Sequence, residues 1–222
     1  MQEKPDGYYD GINTGLLNQL PLDAKSILEI GCGGGKLGAA YKARNPGCTY
    51  YGVEIIESAA AEAAKHLDKV FCASAESIDL SSLQDKVDCI VYGDVLEHLI
   101  DPWAALKSHA SLLRPGGKVF ACIPNTQHWG LLEHLLQGNW VYSDHGLLDS
   151  THLRFFTLNS LGPLFAGAGL QISTVIGLNI NLDGAKLFLE KMRPALPNLG
   201  INEDAFLSTT GPLQYLVSAT RV

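Results

Sequence analysis

The chain has 222 residues, 46% of them hydrophobic and 18% charged, with a net charge of −7. This balance suits one folded domain and excludes a disordered chain, and the acidic surplus excludes a broad phosphate-binding face for nucleic acid. No apolar run is long enough to span a membrane and the first residues lack the apolar core of a secretory leader, so the expected setting is the cytoplasm, with no membrane and no nucleic-acid partner.

Residues 1–25 read as an entry segment with a short helix near Thr14 to Leu20, stopped by Pro21. Tyr8 and Tyr9 are placed to cover a cofactor pocket or to pack as surface aromatics. Ile27 to Ile30 then form a short buried strand, followed by Gly31, Gly33 and Gly35 in a G-x-G-x-G run. Such a turn uses glycine because positive φ carries no Cβ penalty and because the backbone can approach a ligand closely. The helix that follows, about Gly35 to Arg44, points its first N–H groups at that ligand. Asn45-Pro46-Gly47 marks the next turn. Thr49 to Glu54 is a second strand ending in an acid, and Ser58 to Leu67 is an alanine-rich helix. Lys69 to Ala73 and Val87 to Tyr92 are the third and fourth strands. Asp101-Pro102 opens a helix running to about Leu113, where Arg114-Pro115-Gly116-Gly117 ends it. Lys118 to Ile123 is a fifth strand.

Strands alternating with helices over 26–123 predict parallel βαβ units with right-handed crossovers. Further on, Leu131 to Leu136 is a short amphipathic helix, Thr157 to Ala168 a capped helix, and Leu170 to Ile176 and Leu213 to Thr220 the sixth and seventh strands. Residues 179–210 carry no assignable pattern. Of the five cysteines, Cys32 lies in the glycine loop, Cys48 follows a turn, and Cys72, Cys89 and Cys122 sit in strand-like runs and read as buried and reduced.

A strand, a glycine turn and a helix form the usual cradle for a nucleotide-like cofactor. Glu54, about twenty residues beyond the loop, can accept hydrogen bonds from two ribose hydroxyls; its plainer role is a helix-start acid. Gly33, Gly35 and Gly38 also satisfy G-x-G-x-x-G, so spacing leaves a dinucleotide open. Glu29 inside the first strand argues against one.

The ordered set LEIGCGGG, YGVE, SAES, VLEHLIDP, LLRPGG and KVFACIPN resembles the class I S-adenosylmethionine (SAM)-dependent methyltransferases, and within them the ubiquinone-type and natural-product O-methyltransferases. GLLD at 146–149 and THLRFFT at 151–157 resemble a bacterial subgroup that modifies sugars and secondary metabolites. The resemblance implies a Rossmann-like seven-stranded α/β sheet, mostly parallel with the last strand antiparallel. It implies one domain over 1–222: the entry segment, a SAM-binding core at 26–123, a substrate cap at 124–157 and the C-terminal half of the sheet at 158–222. Gly31, Gly33 and Gly35 would pass the methionine end of SAM, and Glu54 would hold the ribose with Ile55 against the adenine. Ser74 and Ala75 would edge the adenine, although the family often has Asp where Ser74 stands. Gly93 and Asp94 would border the sulfonium.

Methyl transfer to a hydroxyl gains from a general base, most often histidine. His98 and His152 compete for that role, His152 with Asp149 and Arg154 beside it, so His98, His152 and Asp149 are the candidate catalytic residues. Asp94, Glu97 and His98 also supply oxygen and nitrogen donors within one turn, as in related quinone O-methyltransferases that use a divalent metal; the reading adopted here is metal-free. His128, Trp129, Trp140, Tyr142 and Arg154 are the candidate substrate residues, with the aromatics alternatively forming a small cap core. The expected acceptor is a small polar or glycosylated molecule, methylated on oxygen, and the protein is expected as monomer or homodimer. Methylation of nitrogen or of a protein, a SAM-binding protein without chemistry, and an NAD-dependent oxidoreductase are the competing readings.

Overall fold

The computed structural model describes residues 11–222, so Tyr8 and Tyr9 lie outside the described residues. Helix α1 (Thr14–Gln19) is capped by Asn13, whose side chain accepts from the Leu16 N–H. There follow β1 (Ser26–Ile30), α2 (Lys36–Arg44), β2 (Thr49–Glu54), α3 (Glu57–Ala63), β3 (Lys69–Cys72), β4 (Val87–Gly93), α4 (Pro102–Ala110) and β5 (Leu113–Pro124). The second half adds α5 (Trp129–Leu136), α6 (Leu158–Gly167), β6 (Leu170–Leu178), α7 (Leu182–Met192), α8 (Glu203–Thr210) and β7 (Gln214–Arg221). Among the described residues no helix is long and apolar enough to cross a membrane.

The seven strands form one sheet in the order β3-β2-β1-β4-β5-β7-β6. β1 pairs in parallel with both β2 and β4, and β7 runs antiparallel to β5 and β6. The expected topology, with the last strand antiparallel, is therefore the observed one. Chain order reverses direction at β1 and β4, and in such sheets the crevice outside their carboxyl ends is where ligands bind.

Both faces of the sheet are covered, so its central strands are apolar almost throughout. Leu28, Ile30, Ile90, Tyr92, Leu106 and Phe165 belong to the core on one face. Ile27, Val91, Phe120, Leu16, Tyr41 and Tyr50 belong to the core on the other. Strand alternation puts Glu29 on the second face, where it is buried against the Tyr50 hydroxyl.

Three local expectations are corrected. The helix expected to reach Leu113 ends at Ala110, and Leu113 instead pairs with Val87 as the start of β5. A register shift between Val87 and Cys89 absorbs Arg114 to Gly117. The alanine-rich helix ends at Ala63 rather than Leu67, because the chain must turn to seat Leu67 in the core and to bring the Asp68 carboxylate to the Tyr50 N–H. Cys72 is exposed, not buried, because β3 is an edge strand; the other four cysteines are buried and all five are free.

The unassigned stretch 179–210 holds α7 and α8. They bury Phe188, Leu189, Leu196 and Phe206 in a third, small core against Trp129 and Leu132 of α5.

Packing between α2 and the sheet leaves no room for a side chain at Gly38, where a Cβ would lie 2.4 Å from Leu67 Cδ2 and 2.7 Å from the Tyr50 ring. Helix propensity alone would favour alanine there. The contact decides the sign: Gly38→Ala lowers unfolding free energy by about 1–3 kcal/mol, read as a lower urea midpoint, and an unchanged or raised midpoint would refute the close packing.

Candidate active site

The loop after β1 is built by glycines. Gly31, Gly33 and Gly35 all have positive φ, and a Cβ on Gly31 would lie 2.5 Å from Val95 Cγ2. On Gly35 it would lie 2.9 Å from the Ala63 Cα, so the loop is bound to both the αL backbone and the space around it. The Gly31 and Cys32 N–H groups donate to the Val53 carbonyl, fastening the turn to β2.

Glu54 completes that fastening. Its Oε2 accepts from the Gly33 N–H and its Oε1 from the Ile56 N–H, each at 2.9 Å, and the residue is 6% exposed. Each carboxylate oxygen keeps a second lone pair for an incoming hydroxyl.

These residues line a cavity of about 480 Å³. Following the strand order, it runs from Ser74 and Ala75 after β3, past Ile55, Glu54, Gly31 and Gly33, to Gly93 and Asp94 after β4. Of the candidate cofactor residues, Gly31, Gly33, Glu54, Ile55, Ser74, Ala75, Gly93 and Asp94 line it, and Gly35 supports the turn from behind. A glycine cradle, a carboxylate with spare acceptor capacity and a cleft of this length fit SAM.

Glu29 also faces this cavity. Burial, with the Glu54 carboxyl acting in the same direction, pushes its carboxyl up to about 8 against the lowering effect of the Tyr50 hydrogen bond. Asp94 has a left-handed backbone (φ 56°) and its Oδ1 accepts from Gln214 Nε2. Burial raises Asp94 to about 6, while hydrogen bonds from Cys122 and Asn13 pull the other way.

At the β4 end the cap closes the cavity with Gly146, Leu147, Asp149, Thr151 and His152, facing Glu97 and His98 from the turn after β4. The Glu97 carbonyl accepts from the Leu153 and Arg154 N–H groups, which docks the cap onto that turn. His98 and His152, far apart in sequence, meet edge to face with ring centroids 4.7 Å apart. His98 Nδ1 is 3.1 Å from the Thr151 carbonyl, and His152 Nδ1 is 3.2 Å from the Leu147 carbonyl. Asp149 is buried, and its Oδ1 accepts from the Thr151 N–H and hydroxyl.

Glu97 is 1% exposed and neither carboxyl oxygen has a hydrogen-bond partner among the described residues; Oε1 lies 4.0 Å from His152 Nε2. Burial, reinforced by Asp94 and Asp149, pushes its carboxyl well above the usual range. One donor atom each from Glu97, His98 and His152 come within 4.8 Å of one another, a set able to hold a divalent cation. Asp94, the first acid of the one-turn set seen in the sequence, is engaged with Gln214 instead.

The candidate substrate residues do not converge on this cavity. His128 and Trp129 line a separate depression that shares only Leu147 with it. Trp129 packs on Gly184 and the third core, the role of cap core rather than of a stacking platform. Trp140 and Tyr142 are exposed, with Trp140 set edge-on to Tyr142 and to Phe155. Arg154 donates from its guanidinium to the Ile100 and Leu153 carbonyls, so it braces the cap. Sequence reasoning missed Asn13, Lys36 and Gln214, which line the cavity from distant parts of the chain, and it gave no site role to Leu147 and Thr151, although both stand in the GLLD and THLRFFT stretches.

The chain matches the methyltransferase-domain family over residues 7–175. It is 28% identical over 170 residues to a ubiquinone biosynthesis O-methyltransferase of Pseudomonas putida strain F1, covering 73% of this chain and 72% of that one. Its likeness to the Parvibaculum lavamentivorans protein of the same name is 31% over 170 residues, covering 72% and 64%. Among solved structures, a SAM-dependent methyltransferase from Archaeoglobus fulgidus superposes with a TM-score of 0.65 at 16% identity, over 97% of both chains. A methyltransferase from Haloferax volcanii, solved in complex with the Trm112 activator, superposes with a TM-score of 0.66 at 15% identity, over 97% and 94%.

Two predictions follow from the acids. If Glu54 is the ribose acceptor that the sequence implies, Glu54→Ala weakens SAM binding by about 10–100-fold, measured by titration calorimetry; unchanged affinity would sink the assignment. For Glu29 the folded protein holds a proton that the unfolded chain releases above its usual value of 4.5, so stability is lost as pH rises from there through about 8. Glu29→Gln, which keeps an acceptor for Tyr50, therefore has a higher urea midpoint than wild type in the cofactor-free protein, by a margin that widens from about pH 5 to about pH 9. A constant margin would contradict a buried neutral acid.

Proposed function

The chain belongs to the methyltransferase-domain family and is a SAM-dependent methyltransferase, and from that premise we propose that it methylates an oxygen of a small polar metabolite, glycosylated compounds included, with His98 or His152 as the base. The observation that carries this reading is the meeting of the two imidazoles at the cap end of the cavity, beside the buried Glu97.

Bound SAM supplies a methyl already activated on a sulfonium. The chain's tasks are then alignment, exclusion of water and removal of the acceptor's proton. A carbonyl can only accept, so Thr151 and Leu147 favour the tautomers with hydrogen on Nδ1 of His98 and His152. That leaves a lone pair on each Nε2. One of them takes the hydroxyl proton as the acceptor oxygen takes up the methyl. Where His152 is that base, its Nε2 lies 4.0 Å from Glu97 Oε1, and the buried, protonated Glu97 meets the imidazolium with an oxygen dipole rather than a full charge. Asp149 holds Thr151 and with it the partner of His98. The cap residues Gly146, Leu147 and Thr151 exclude water from that end.

An oxygen acceptor is supported by the two imidazoles and by the names of the relatives. A small acceptor is supported by a cavity covered by the cap, and a polar one by the acids and histidines at that end. Acceptor panels of phenols and glycosides, scored by S-adenosylhomocysteine release, identify the acceptor. Replacing the base with alanine then lowers kcat by about 10²–10⁴-fold with SAM affinity unchanged, whereas replacing the other histidine alters KM. If both alanine variants keep wild-type kcat, the proposed chemistry is wrong.

A further inference from the structure

The depression that adjoins the cavity at Leu147 has a chemistry of its own. It measures about 770 Å³ and is bounded by α5 and the loop that follows it. Leu131 and Leu148, both buried, form its floor, and the exposed Asn139, Val141 and Ser143 form its rim. His128 Nδ1 accepts from the Gly130 N–H, so the neutral ring carries its hydrogen on Nε2 and offers it as a donor. The Ser143 hydroxyl donates to the His145 carbonyl, so its oxygen keeps lone pairs for an incoming hydroxyl. The Asn139 amide both donates and accepts. Glu133, the carboxylate among the described residues that line the depression, is already paired with Lys191 Nζ at 2.6 Å. An apolar floor under neutral donors and acceptors, with the local charge compensated, matches an uncharged sugar ring, which sets a C–H face beside hydroxyls.

One short loop, residues 143–150, separates this depression from the cavity. The Ser143 N–H donates to the Leu148 carbonyl and the Ser143 carbonyl accepts from the Ser150 N–H, each at 2.9 Å, which closes the loop on itself. Leu147 lines both hollows, Ser143 and Leu148 only the depression, and Gly146 and Asp149 only the cavity. The same loop holds both imidazoles. The Leu147 carbonyl lies 3.2 Å from His152 Nδ1. Asp149 accepts from the Thr151 N–H and hydroxyl, and the Thr151 carbonyl lies 3.1 Å from His98 Nδ1. A ligand resting on Ser143 and Leu148 on one side therefore bears on the orientation of the imidazoles on the other. Contacts made far from the reacting atoms raise kcat when they fix a group that acts only in the transition state.

We propose that this depression is a subsite for a sugar ring of the acceptor, and that an acceptor reaching from it across Leu147 to the imidazole pair is methylated faster than its sugar-free counterpart, because the ring steadies the loop that holds both imidazoles. The inference rests on oxygen methylation at the cap end of the cavity and deepens it. The sugar is a recognition handle, and the reacting hydroxyl belongs to the unit attached to it. Leu147 is where the two parts of the acceptor meet.

Two measurements test it. The first is an NMR titration of the ¹⁵N-labelled protein, saturated with S-adenosylhomocysteine, with the methyl glycosides of a hexose, a deoxyhexose, a pentose and an N-acetylhexosamine. At least one is expected to shift the amides of Asn139, Ser143 and Leu148 at millimolar concentration and, with them, the ring resonances of His152. Asn139→Ala, at an exposed position, weakens that glycoside severalfold. Shifts from none of the glycosides overturn the subsite, and shifts that stop at Ser143 without reaching His152 overturn the coupling. The second compares kcat for the acceptor that the panel of phenols and glycosides identifies, with and without its sugar. The glycoside is expected to turn over faster by about 10–100-fold, and Asn139→Ala brings that ratio towards one. Equal kcat for the pair, or a ratio that Asn139→Ala leaves unaltered, overturns the inference. A protein that methylates neither member of any pair, yet binds the sugar here, overturns the reading of the chemistry and not that of the subsite.

Discussion

One carboxylate ties together the two loops on which the cavity depends. Glu54 ends β2 and accepts from Gly33 in the loop after β1 and from Ile56 at the start of α3. Within the glycine loop only Cys32 carries a side chain, buried in the core on one face of the sheet. The loop's conformation is set by positive φ at three residues and by hydrogen bonds to β2. Glu54 therefore shapes the cradle before any ligand arrives and still has lone pairs for one. Glu29, on the neighbouring strand, has a single phenolic donor and stays protonated near neutrality. Two acids on adjacent strands thus differ in their partners, two backbone donors for Glu54 and one phenolic donor for Glu29.

The cavity has a graded character. Its end after β3 is made of backbone and small side chains. Its cap end gathers Asp94, Glu97, Asp149, His98 and His152. Burial keeps Glu97 protonated there, so its oxygens meet the positive charge of a sulfonium or an imidazolium as dipoles. The unpartnered oxygens of Glu97 are consistent with this, since a buried carboxyl without a donor is the group most in want of a hydrogen or a cation.

The sheet was legible in the sequence because local signals coincide there: apolar strands, glycine and proline turns, and caps such as Asp101 at α4. The glycine loop and Glu54 were legible for the same reason, being a motif within one βα unit and the strand that follows. Gln214 and Asn13 were not, because they reach the cavity through the ordering of the strands and not through a local motif. The aromatics of the cap misled in an instructive way. Trp129 has the composition of a binding platform, yet Gly184 offers it a flat backbone surface to pack on. Residues 179–210 defied assignment because Pro194, Pro197 and Gly200 interrupt the helical period between α7 and α8. The packing that stabilises those helices comes from α5, far away in the chain.

That third core has a consequence for motion. It joins α5, α7 and α8 through a handful of buried side chains, far fewer than either core flanking the sheet. Opening it exposes little apolar area, so it costs less free energy than disrupting the sheet. The loop that follows α5 carries Leu147 and His152, and so the imidazole pair. The structure thus divides into a stiff half that grips the cofactor and a looser half bearing the cap. Substrate entry and product release can proceed by a local opening of the second while the first remains intact, and amide hydrogen exchange in α5, α7 and α8 would run ahead of exchange in β1 and β4.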